Sequence, residues 1–81
     1  MVDREYIIRW EAPEGFDPSA VLRSLPSPIA PGLREIYNFS VKEEGFYFVD
    51  RQIDPRTAGH ALKLFVDEAL KYSNEVIIEN L

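Results

Sequence analysis

Asp-Pro occurs twice in this chain, at Asp17-Pro18 and at Asp54-Pro55, and each pair is suited to opening a helix. The carboxylate caps free backbone N–H groups of the first turn, and proline, with its fixed φ and no N–H to satisfy, fits the first helical position. Phe16 and Val21 stand at hydrophobic-staple spacing across the first start. Pro26, Pro28 and Pro31 then cut this helix short and bias Leu25 to Leu33 toward an extended connector, which Gly32 allows to turn. Pro28 and Pro31 also have Pro-x-x-Pro spacing, read here as part of the stiff connector rather than as an SH3-type ligand. After the second Asp-Pro, Ala58, Ala61, Leu62, Phe65, Ala69 and Tyr72 lie on one stripe at helical spacing, which predicts a helix through Ser73.

Around these helices the apolar period is two. Tyr6, Ile8 and Trp10 alternate with Glu5, Ile7 and Arg9, and Tyr37, Phe39 and Val41 alternate with Ile36, Asn38 and Ser40. Glu43-Glu44-Gly45 supplies a compact turn into the aromatic run Gly45 to Arg51, so the middle of the chain reads as a hairpin. Glu75 to Glu79 reads as a last strand. The order β-α-β-β-α-β predicts an α+β fold: a ferredoxin-like two-layer sandwich, its antiparallel four-stranded sheet carrying both helices on one face, in a single domain over residues 1–81. In that layout the first and third strands are central and one sheet face is open.

A chain of 81 residues buries only roughly 60 to 65% of the surface its unfolded form exposes. It has no cysteine, so disulfides cannot supplement a thin core, and self-association is the supplement to look for. Acids at Asp3 and Glu5, with no apolar run behind them, do not fit a signal peptide, and no segment has the length of a membrane span. The expectation is a soluble, cytoplasmic protein. A formal net charge of −5, with Lys and Arg scattered singly, argues against a nucleic-acid partner.

The more apolar set of each strand should face the helices: Tyr6, Ile8 and Trp10; Tyr37, Phe39 and Val41; Val76 and Ile78. The third strand is apolar on both sides and leaves two choices open, Phe46 and Phe48 with Asp50, or Tyr47 and Val49 with Arg51. A strand apolar on both sides normally has both sheet faces covered, and two helices cover one. The expectation is an apolar patch of Ile7, Ile36, Phe46, Phe48 and Ile77 on the open face, rimmed by Glu5, Asp50, Glu75 and Glu79, and covered by a protein partner or a second copy in a homodimer.

Catalytic chemistry finds little support. Glu44-Gly45-Phe46-Tyr47-Phe48-Val49 resembles in part the third-strand signature of the RNA recognition motif family, a resemblance that implies base stacking on Phe46 and Phe48. It departs from that pattern at Glu44, where a basic residue belongs, at Tyr47 for a small residue and at Arg51 for an aromatic one; Ile7 occupies the first-strand stacking position. His60 is the only histidine and the only candidate general base, as in a small enzyme or ligand-binding protein of the dimeric α+β barrel kind. No metal-ligand spacing, glycine-elbow serine or clustered-glycine phosphate loop is present, and no cofactor is implied. The leading expectation is a non-enzymatic protein-interaction or regulatory module, ahead of a His60 enzyme and of single-stranded RNA binding.

Overall fold

The computed structural model describes residues 3–81; Met1 and Val2 lie outside the described residues. Its elements run β1 (Arg4–Arg9), α1 (Ser19–Ser24), β2 (Ile29–Ala30), β3 (Arg34–Glu35), β4 (Tyr37–Lys42), β5 (Gly45–Asp50), α2 (Pro55–Leu70) and β6 (Ile77–Asn80). The four longer strands form one antiparallel sheet in the order β4-β5-β1-β6, and β2 pairs with β3 as a separate ribbon. The architecture is α+β, a four-stranded antiparallel sheet with two helices. No helix among the described residues is long and apolar enough to cross a membrane.

Both Asp-Pro pairs make local hydrogen bonds at a helix start, but only Asp54 caps its helix; α1 begins at Ser19 with Pro18 as its N-cap and no side-chain cap, so Pro18 does not take the expected first helical position. Asp54 accepts from the Thr57 backbone N–H at 3.2 Å and from its hydroxyl at 2.8 Å, with Pro55 at the first helical position. Asp17 accepts from the backbone N–H and the hydroxyl of Ser19, at 2.9 and 3.0 Å. These bonds favour the ionised carboxylates and hold both below the ordinary aspartate pKa: the Thr57 hydroxyl bond is the largest cause at Asp54, the Ser19 backbone bond at Asp17.

Helix α2 stops at Leu70, short of the predicted Ser73, because the N–H groups of Lys71 and Tyr72 turn back onto Glu68 and Ala69. Tyr72 leaves the helical stripe and stacks on Trp10, with centroids 6.1 Å apart. The Pro-rich connector departs further from expectation, since Ile29–Ala30 pairs with Arg34–Glu35 around a turn. Gly32 and Leu33 both take positive φ, +85° and +62°, and the Leu33 N–H donates to the Ala30 carbonyl.

Strand register decides the ambiguous third strand. Ile8 lies opposite Phe46 and Tyr6 opposite Phe48, while Phe48 and Phe46 face Phe39 and Val41 on β4. All of these share the helix-side face. Phe65 of α2 packs its ring on Phe39, Phe46 and Phe48, at centroid distances of 5.3, 4.9 and 6.1 Å. Val21 of α1 and Ala58, Ala61 and Ala69 of α2 complete one buried cluster with Ile8, Trp10, Ile36 and Tyr37. The small residues on α2 let the helix approach the aromatic floor closely, and full burial of each phenylalanine stabilises by roughly 1.5 to 3 kcal/mol.

The covering is incomplete. Phe39, Val41 and Ile78 point to the helix side as expected, yet they are 38%, 42% and 48% exposed. With α1 only six residues long, the helix layer shelters the middle of the sheet and leaves its two edges bare.

Candidate functional site

The apolar patch expected on the open face does not form. Phe46 and Phe48 are each 1% exposed and lie on the opposite, helix-side face under Phe65. Ile36 is also in the core: it falls between β3 and β4, where its N–H bonds to Pro28 and its carbonyl accepts from Arg51, and this interruption lets Ile36 and Tyr37 both turn inward in succession. Ile7 is on the open face but 4% exposed, because it is flanked across the sheet by Tyr47 and Glu79. Of the five residues only Ile77, at 51%, is available to a partner.

Polar side chains roof that face instead. Tyr47 donates its phenolic hydrogen to Glu5, and Lys42 sits over the Tyr47 ring at 5.7 Å. Arg9 pairs with Glu79 in the next row. Arg51 donates to Asn38 and to Asp3, both at 2.6 Å. Beneath this lattice lie Ile7 and Val49, the two buried apolar side chains of that face. The bond to Glu5, followed by partial burial and the nearby negative charge, raises the Tyr47 phenol above its ordinary pKa and keeps it a donor. Salt bridges this exposed are each worth little, but together they make the face a hydrated, charge-balanced surface.

Unsheltered apolar surface lies at both sheet edges, and at the last strand it spans the whole element. Every residue of β6 is exposed, with Ile77 on the open face and Ile78 on the helix side, and Leu81 beyond them is 62% exposed. The Leu81 N–H donates to the Glu5 carbonyl at 2.8 Å, which marks that position as a hydrogen-bonded pair with β1. Antiparallel ladders alternate, so Ile77 and Glu79 also turn their backbone groups toward β1, while Ile78 and Asn80 turn theirs to the free side. That outer edge has no strand beside it among the described residues.

At the start of β6 the edge runs into a cleft of about 480 Å³ lined by Arg9, Trp10, Glu11, Glu44, Ser73, Glu75 and Ile77. Trp10 is 7% exposed, held by Phe16, Phe46 and Tyr72, and its buried indole N–H has no acceptor among the described residues. Glu11, Glu44 and Glu75 have no ion-pair partner among the described residues, and Arg9 is committed to Glu79. Their carboxylates do not converge as metal ligands; no such group forms among the described residues. The result is a net acidic cleft with an apolar wall.

His60 does not meet a second functional group. It is exposed on α2 and lines none of the clefts at β6, at the β2–β3 ribbon or between the helices. Base stacking on Phe46 and Phe48 is likewise blocked by their burial under α2. The β6 edge was absent from the sequence reading, though its signal was available: Val76-Ile77-Ile78 is apolar on both faces, as Gly45 to Arg51 is, and the expected layout put this last strand at an edge. Compared with family models, curated proteins and solved structures, the chain matches none.

Proposed function

We propose that the chain is a non-enzymatic protein-interaction or regulatory module that docks through the β6 side of its sheet. The observation that carries this reading is β6 itself, a strand exposed on both faces whose outer backbone groups have no partner among the described residues. Strand edges in stable monomers are usually blunted by lysine, proline, a bulge or a covering segment, and Ile77–Asn80 has no lysine or proline. Main-chain groups at such an edge supply affinity, and the flanking side chains supply selectivity. A ferredoxin-like arrangement belongs to the same proposal. The central placement of β1 and β5 supports it, and the short α1 and the β2–β3 ribbon are departures from its simplest form.

Site-specific photo-crosslinking in cells tests the docking surface. A crosslinker at Ile78 should give a discrete adduct, and the same group at Asn38 on the polar face or at His60 on α2 should give none. Equal labelling from all three positions, or an adduct from Asn38 alone, would remove β6 as the surface.

A further inference from the structure

Ile77, the first residue of β6, also lines the acidic cleft, with Glu75 two residues before it, so a single extended ligand along β6 reaches both. We propose that the occupant is an extended, basic segment of another protein, which adds to β6 as a new edge strand and seats a lysine or arginine side chain in the cleft. This inference rests on the interaction-module reading and names the chemistry of the partner.

Charge selects the occupant. Three carboxylates without an ion-pair partner among the described residues, Glu11, Glu44 and Glu75, line the cleft against one cation, Arg9, which is paired with Glu79, and the whole chain carries −5. A second copy, placed antiparallel about Ile78, would set Glu79 across from Ile77 and diagonal to Glu75 of its mate, gathering the acids of both copies on one face; like charges opposed across strands are unfavourable. A basic strand turns the same positions into attractions. Its cationic side chains meet the glutamates on the open face, and the alternate apolar ones pack over Ile78 on the helix side, which is 48% exposed. Its backbone bonds to the outward groups of Ile78 and Asn80. The Trp10 ring, which forms the apolar wall of the cleft, packs against the aliphatic stem of the cationic side chain seated there.

The probe is a short capped peptide of alternating lysine and valine, titrated into isotopically labelled full chain and followed by NMR. The expected result is saturable shifts of the Ile78 and Asn80 amides and of the Trp10 indole N–H. Binding should weaken with salt, and it should weaken about tenfold in Glu11→Gln/Glu44→Gln/Glu75→Gln, with the fold unchanged in the spectrum. A matching peptide with glutamate for lysine should not bind. Equal binding of both peptides, or shifts confined to β4, would overturn the proposal. Should the basic peptide fail while light scattering detects a dimer that Ile78→Lys abolishes, the interaction reading stands with a second copy as occupant and this inference falls. Failure of both, with no crosslink from Ile78, removes both.

Discussion

Strands β4 and β6 are the two edges of one sheet, and they are built to different ends. β4 is six residues long, aligned along its whole length with β5, with Tyr37 at 1% exposure and the Phe39 ring against Phe65. Lys42 closes it, a residue type that discourages strand addition. β6 has four residues, none buried, with Ile78 at 48% exposure. The contrast is one of burial: Tyr37 of β4 and Phe46 and Phe48 of β5 are spent on the chain's own core, whereas every side chain of β6 is exposed.

The widest gap should appear on truncation. Phe65→Ala is expected to cost about 4 kcal/mol, because it empties the contact among Phe39, Phe46 and Phe48. Ile78→Ala is expected to cost under about 1 kcal/mol, since half of that side chain is already in water. Denaturant midpoints of the two variants measure the difference, and comparable losses would mean that β6 is as integrated as β4.

A second difference is in the backbone. Gly45 begins β5 at φ +142°, where any Cβ would run into the Ile8 carbonyl of β1. Gly45→Ala should therefore destabilise by on the order of 3 kcal/mol through strain and displacement of β1. Gly59 on α2, whose added Cβ meets nothing within 4 Å, serves as the control; Gly59→Ala should hold or gain stability by thermal melting.

The smallest effect is electrostatic and belongs to the helix layer. Asp17 and Asp54 have folded pKa values below the ordinary aspartate value, so their contribution is complete above that value and is lost as pH falls through the lowered folded ones. Asp17→Asn/Asp54→Asn should thus flatten the acid limb of a stability–pH curve and leave the neutral slope unchanged. A flattening near neutral pH instead would assign the effect to other groups.

The two helices and the four longer strands were legible in the sequence from local chemistry, two Asp-Pro pairs, period-2 strands and a glycine turn before an aromatic run, but the β2–β3 ribbon in the Pro-rich connector was not. The helix-side assignments of Ile8, Trp10 and Tyr37 followed from alternation alone. What alternation could not supply was the facing of β5, where both sets are apolar and Gly45 and the register with Ile8 decide. Nor did it supply the inward turn of Ile36, which depends on bonds to Pro28 and Arg51 from distant parts of the chain. The apolar surplus inferred from the size of the helix layer is present, but at the edges. Its location depends on how far a six-residue α1 reaches, and strand composition carries no record of that.

Amide hydrogen exchange along β6 in dilute, partner-free protein tests the central claim most directly. The Ile78 and Asn80 amides, turned outward, should exchange roughly tenfold or more faster than those of Ile77 and Glu79, which are bonded to β1. Uniformly slow exchange across all four would mean that the outer edge is already occupied, and it would contradict the assignment of β6 as the strand left open for a partner.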